Sequence, residues 1–437
     1  MALLGAALLS FFVYPGHTFL ASDTPIFLPV MLHQIEPALY RNDILMEGAH
    51  TAYTLYDELV NGLHRLTQLR HEWILPGLHL GFRLAGLLGV FWLLEALALE
   101  RAFAVVGAAL YELGATAFGP SVLTVEYEPV PRAFALSLVL LALGLVARQR
   151  PLAAALAGSA AFLLHPPTSA GFWAVYLICL FLPGRSAGTG RLRLLLPLLA
   201  SAALLLLLAP LDGGRGGAEA QEFFSRIDPN WEKLLRLRGS YAWPSVWPRS
   251  YLWLYACGAA LLATACFRLR SRLRGQLRAY WWTLPLFGIA SIPLTYLLLE
   301  KAKWTLLPAF QPMRYVLYVL LFGMLLGYAM GLERLPKRKW EGFAWLLAVF
   351  LLGLLPQHLF WLAPLLLGFH FSERGARESG QPGQAGLAWT WLVCGGAAAL
   401  AIAAIKPFGF VAWAPANLRA LAAVSYTHLR AHETVLD

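Results

Sequence analysis

The chain has 437 residues, 59% of them hydrophobic and only 13% charged, with a formal net charge of +10. Soluble domains hold about 45–50% apolar and about 25% charged residues, so an ordinary soluble enzyme, a disordered chain and a collagen-like repeat are excluded. The basic residues fall in short clusters between apolar blocks, which argues against a nucleic-acid partner and for a membrane lipid one.

Apolar blocks such as Ile74–Leu99 and Leu192–Leu208 match the roughly 20 residues a bilayer-spanning helix needs. The expected fold class is all-α, a polytopic transmembrane bundle forming one domain over 1–424. In chain order the spans fall at 1–14, 74–99, 102–118, 133–147, 151–165, 168–183, 192–211, 250–267, 279–299, 312–332, 342–369 and 387–405, with a partial thirteenth from Phe408. The first is short and lacks the basic start of a signal peptide. It either tilts to reach Leu20 or begins upstream of this sequence. Pro356 and Pro364 are expected to kink the long block 342–369. The last residues, SYTHLRAHETVLD (425–437), resemble a translated sequencing adapter and are set aside as a non-native tail, with the chain expected to be truncated. The four cysteines, Cys179, Cys257, Cys266 and Cys394, lie in apolar blocks without CxxC spacing, so neither a disulfide framework nor a zinc site is supported.

The connecting segments alternate in character. Segments 100–101, 148–150, 184–193, 268–278 and 333–341 carry 15 Lys/Arg and 3 acids; segments 15–73, 119–132, 212–249, 300–311 and 370–386 carry 14 Lys/Arg and 17 acids over about four times the length. Basic density in short loops marks the cytoplasmic side. Arg268, Arg270, Arg272, Arg274 and Arg278 therefore face inward, and the long acidic segments face outward.

The first outer segment, 15–73, holds five of the eleven histidines and seven acids. Ile26–Leu39 and Ala52–Leu69 show helical apolar spacing, as amphipathic helices on a membrane surface do. Asp23 stands at the outer end of span one. It is a candidate general base, or a plain N-cap before Thr24-Pro25. Asp43 is a second candidate, or a solvated turn acid beside Arg41. In 119–132, Glu126 and Glu128 offer a second acid or a metal-binding pair, or a polar loop neutralised by Arg132. His165 closes the fifth span before Pro166-Pro167, as a phosphate or sugar contact or a structural turn residue. Gln311 and Arg314 open the tenth span. An arginine one residue inside an apolar helix needs a partner, an anionic ligand or a path for snorkelling. Arg83, Glu95 and Glu112 fall inside spans. The second large outer segment, 212–249, suggests a short helix over Glu219–Leu237 broken at Pro229, with Trp231, Tyr241, Trp243 and Trp247 in an interfacial belt. No nucleotide-binding or hydrolase motif and no internal repeat is present.

Asp23 with the downstream Leu39-Tyr40-x-x-Asp43, Glu126 followed by Pro131-Arg132, His165-Pro166 and Gln311-x-x-Arg314 together resemble the GT-C class of integral membrane glycosyltransferases and uncharacterised bacterial membrane proteins related to it. The resemblance covers about residues 1–335. It implies a sugar donor carried on polyprenyl phosphate and an acceptor at the extracytoplasmic face of a bacterial cytoplasmic membrane. Asp23, Asp43 and Glu126 would be catalytic, and His165, Arg314, Gln311 and Arg132 would bind substrate. Asp23 is followed by Thr24, not by a second acid as in better-known members, so no metal ligands are assigned and a divalent metal stays open as a cofactor. The competing expectation is a transporter or flippase of a lipid-linked or anionic solute, with its working charges at Arg83 and Glu112. Oligomeric state is not legible.

Overall fold

A computed structural model describes residues 1–40, 43, 54–181, 190–212, 225–273 and 275–354. The expected spans beyond Leu354, the outer segment 370–386, Cys394 and the tail lie outside the described residues.

The described chain is all-α apart from one two-stranded hairpin. It begins with α1 (Ala2–Phe12), α2 (Thr24–Ile35) and α3 (Tyr56–Thr67). The long α4 (His71–Ala96) and the shorter α5 (Arg101–Tyr111) follow. After the hairpin β1 (Thr116–Ala117) and β2 (Val122–Leu123) come α6 (Pro131–Ala147), α7 (Pro151–Leu164), α8 (Pro166–Phe181) and α9 (Gly190–Asp212). The rest is α10 (Pro229–Arg238), α11 (Arg249–Arg268), α12 (Gly275–Thr295), α13 (Leu306–Phe310), α14 (Leu317–Arg334) and α15 (Lys339–Leu354). Prolines open α6, α7 and α8, where a missing N–H costs nothing and the fixed φ suits the first turn. Pro285 and Pro293 sit inside α12, which relaxes into a π turn at Tyr296–Lys301.

Among the described residues, four helical stretches are long and apolar enough to cross a membrane: His71–Ala96, Arg249–Arg268, Gly275–Lys301 and Leu306–Arg334. The other apolar helices are shorter. The third expected span stops at Tyr111, not at residue 118, because the chain turns at Gly114 (φ +74°) into the hairpin. α14 is the central helix, with nearly every residue from Leu317 to Gly331 buried. α4 and α6 pack most closely of all. A Cβ on Gly89 would stand 2.2 Å from the Leu140 carbonyl oxygen, and one on Gly144 would stand 2.6 Å from the Gly89 Cα. Both positions therefore require glycine for the backbones to touch.

The described parts of the two sets of connecting segments sort to the two ends of α4. At its C-terminal end, Glu95 meets Arg101 and Arg148, and Arg272 donates to the Leu97 carbonyl and pairs with Glu333. Arg268 and Arg334 reach Glu341 there as well. Toward its N-terminal end the long acidic segments meet one another. Thr18 N–H donates to the Tyr127 carbonyl, Ser245 N–H to Glu300, and Thr54 Oγ1 to the Leu164 carbonyl.

Candidate functional site

The site is built on Glu128. Its buried carboxylate accepts the backbone N–H groups of Ala21 (2.8 Å), Ser22 (2.5 Å), Asp23 (2.7 Å) and Thr24 (3.4 Å). The Asp23 and Thr24 N–H groups stand at the start of α2, where unsatisfied donors favour a negative charge, and those of Ala21 and Ser22 lie in the loop just before it. Asp23 occupies the N-cap position, as expected, but makes no side-chain cap bond. Glu128 performs the capping from 104 to 107 residues away, so the Asp23 carboxylate is released for another partner.

That partner is Arg132 in the first turn of α6. Its Nη1 donates to Asp23 Oδ2. Its Nε donates to Glu126 Oε1 at 2.7 Å and its Nη2 to Glu126 Oε2 at 3.3 Å. Glu126 is held bidentately and its side chain is only 4% exposed, whereas Asp23 remains 34% exposed. Glu126 and Glu128 thus serve different partners and do not form a metal-binding pair. Among the described residues no group of three His, Cys, Asp or Glu side chains could hold a metal ion. The carboxylates nearest the recess are held by Arg132 and by backbone N–H groups, so this donor set does not fit a divalent metal.

Arg132 also lines a small recess together with His165, Gln311 and Arg314. Four expected substrate-binding residues, spread over 180 positions of sequence, thereby share one lining. His165 Nδ1 accepts from the Thr168 N–H (3.2 Å) and contacts Thr168 Oγ1 at 2.8 Å. A neutral ring accepting at Nδ1 carries its proton on Nε2. Gln311 is held in the left-handed region (φ 48°, ψ 58°), which costs a non-glycine residue roughly 1–2 kcal/mol. Its Nε2 donates to the Pro308 carbonyl at 2.8 Å, while Oε1 is buried without a partner. The turn at Pro312–Val316 that carries Arg314 rests on Gly288 of α12, where a Cβ would stand 2.5 Å from the Tyr315 carbonyl oxygen. Tyr315 Oη donates to the Pro167 carbonyl at 2.6 Å and fixes that turn to α8.

Arg314 itself is the unusual group. Its Nε is buried without an acceptor, and no ion pair engages it among the described residues. Its guanidinium lies 5.6 Å from the Tyr241 ring centroid. An arginine there, beside Arg132 and with no direct ion pair among the described residues, suits an anion that the protein does not itself supply. Asp43 does not line this recess; its N–H donates to the Tyr40 carbonyl, and Arg41 lies outside the described residues.

A second layer holds the site in place. Arg83 Nη2 donates to the carbonyls of Gly16 (2.8 Å) and Glu126 (2.5 Å). His79 Nε2 lies 3.1 Å from the same Glu126 carbonyl, which can only accept. His79 therefore carries its proton on Nε2, and His17 Nδ1–H donates to His79 Nδ1 at 2.9 Å. Burial and the neighbouring Arg83 lower the His17 pKa to about 4. Arg83 does not pair with Glu95, and Ser10 Oγ donates to Glu112 at 2.6 Å. Glu128, Tyr241, His17 and His79 carry no sequence signal for these roles, because each acts through contacts far along the chain. The expected interfacial belt also divides. Trp231 is exposed, but Trp243 and Trp247 are buried, Trp243 beneath Arg236 at 3.9 Å and Trp247 against Gly119.

Comparison with family models, curated proteins and solved structures finds no match to this chain.

Proposed function

We propose that the chain is a polytopic integral membrane protein of the bacterial cytoplasmic membrane. In this reading it is a GT-C-like glycosyltransferase that moves a sugar from a polyprenyl-phosphate donor to an extracytoplasmic acceptor. The membrane placement is supported by the four membrane-length helices and by large apolar side chains left on the outside, such as Leu207, Trp253, Leu286 and Phe343. The arginines clustered at the C-terminal end of α4 favour that end as cytoplasmic.

The observation that carries the transferase reading is Arg314, unpaired in a recess that also presents Arg132, His165 and Gln311. In a transfer step the acceptor oxygen forms a bond to the anomeric carbon. The bond from that carbon to the phosphate oxygen breaks, and the phosphate leaves with the electron pair. Arg314, aided by Arg132 and the His165 Nε2–H, would neutralise the charge that gathers on the leaving phosphate. The exposed oxygen of Asp23 would take the acceptor proton. Glu126, closed off by Arg132, would hold that arginine in place. Transfer from a radiolabelled polyprenyl-phosphate sugar tests the reading. Asp23→Asn is expected to lose turnover while retaining donor binding, and Arg314→Ala to lose donor binding. Wild-type transfer by both variants would reject it.

A second reading, a transporter or flippase of an anionic or lipid-linked solute, draws on Arg83 and Glu112. Both are buried and line one small pocket with His79 and Glu126, where Arg83 Nε and Nη1 have no partner. It predicts that neutralising Arg83 abolishes solute movement while Asp23→Asn has little effect.

A further inference from the structure

α10 has its two faces arranged the opposite way to a helix on a soluble protein. None of its ten residues is buried. Two of its four charged residues turn toward the rest of the chain: Glu232 pairs with Lys303 and Arg236, and Arg236 reaches Glu300 at 3.6 Å while stacking on the buried Trp243. At about 100° per residue, Leu234 lies roughly opposite the midpoint of Glu232 and Arg236, with Trp231 and Leu237 on either side of it. Those three are 57%, 55% and 83% exposed. A charged face inward and an apolar face outward is unfavourable in water, where exposing the three side chains forfeits their burial.

The helix is anchored against drifting. Asp228 caps it, accepting from Asn230 and Trp231 N–H, and Ile227 N–H donates to the Lys303 carbonyl just ahead of it. Its exposed face is therefore fixed in orientation. Lys233 flanks that face beyond Leu237, and Arg238, in the last turn, lies on it between Leu234 and Trp231; both are exposed, while the one acid of the helix is neutralised on the inner side. The chain enters the membrane-length α11 only eleven residues after α10 ends, and Trp253 near the start of α11 is exposed as well.

We propose that α10 is a membrane-surface helix: Trp231, Leu234 and Leu237 insert into the headgroup boundary, and Lys233 and Arg238 bind anionic phospholipid headgroups. Apolar insertion with flanking basic residues is the chemistry of interfacial helices, and each exposed base near an anionic leaflet adds attraction. The inference goes beyond sugar transfer and does not depend on it.

The test uses the full chain in lipid nanodiscs. Nitroxide labels are placed singly at Lys233, Leu234 and Leu237 in a background whose native cysteines are replaced by serine. Labels at 234 and 237 are expected to be several-fold more accessible to oxygen than to a water-soluble nickel chelate, and the label at 233 to show the reverse. Equal nickel access at all three sites would overturn the proposal. So would labels at 234 and 237 shielded from both reagents, which would mean that protein, from this chain or a second copy, covers the face. Replacing pure phosphatidylcholine by a mixture with phosphatidylglycerol should deepen the label at 234, and the double reversal Lys233→Glu/Arg238→Glu should remove that deepening. No dependence on lipid charge would overturn the headgroup assignment.

Discussion

Removing the Glu128 carboxylate should disable the site from a distance. In Glu128→Ala, the N–H groups of Ala21, Ser22, Asp23 and Thr24 lose a shared acceptor lying 2.5 to 3.4 Å away. A hydrogen bond to a charged acceptor contributes about 1.5–3 kcal/mol. Four donors sharing two oxygens do not add in full, and the gap admits water to some of them, so we expect a loss of about 3–5 kcal/mol. Glu128→Gln keeps the shape and one accepting oxygen, but turns an amide N–H₂ toward the remaining donors, and should lose about half as much. Thermal unfolding of the purified protein reads the stability, and limited proteolysis between residues 15 and 24 reads the local release. The Asp23–Arg132 pair should loosen with it, so donor binding falls even though Glu128 does not line the recess. Unchanged melting and unchanged cleavage in Glu128→Ala would refute the claim that this carboxylate organises the start of α2.

Further outcomes follow from the same geometry. Arg132→Ala leaves Asp23 and the buried Glu126 facing each other without a cation and should destabilise by about 3–5 kcal/mol, measured by thermal unfolding. His17 is held neutral, with its pKa lowered from 6.5 to about 4. The unfolded chain therefore binds the extra proton between those values, and stability should fall as pH drops from 6.5 toward 4. In His17→Phe that part of the slope should vanish, as read by melting temperature against pH. Gly89→Ala places a Cβ 2.2 Å from a backbone oxygen of α6 and should lower stability by about 1–3 kcal/mol, whereas Gly81→Ala, with open space around it, should not.

The sequence carried the helices well and their connections poorly. The expected starts at 133, 151 and 168 lie within two residues of the prolines that begin α6, α7 and α8, and the alternation of acidic and basic segments matches the two ends at which their described parts gather. The turn after Tyr111 was missed because Ala115, Ala117 and Phe118 continue an apolar run and outweighed the one local break signal inside it, Gly114. Asp23, Glu126, Arg132, His165, Gln311 and Arg314 were visible as polar residues at apolar boundaries, where charge needs a reason. Which of them meet was not visible. That depends on Glu128 bridging 107 residues to Ala21, and on Tyr315 bridging 148 residues to Pro167. Trp243 and Trp247 misled for the same reason: aromatics beside a membrane suit an interface, but packing from distant segments buried them.

The two arginines of the recess have unequal freedom, and this orders their roles in the proposed chemistry. Arg132 directs three N–H bonds to carboxylates of the chain itself, two to Glu126 and one to Asp23. Its charge is already compensated, and its geometry is fixed by a bidentate contact that lysine cannot reproduce. Arg314 makes no such bond among the described residues; its guanidinium lies beside the Tyr241 ring and feels the charges of Arg132, Glu126 and Asp23 without a direct bond to them. An incoming phosphate would therefore gain most from Arg314, whose donors are unengaged, and less from Arg132, whose remaining donors are two. The substitutions should separate accordingly. Arg314→Lys keeps the charge and loses the fork, so donor affinity falls while the melting temperature holds. Arg132→Lys breaks the grip on Glu126, so melting temperature and affinity fall together. Equal melting losses in the two variants would mean that Arg314 has a structural partner after all, and the anion reading of the recess would lose its main support.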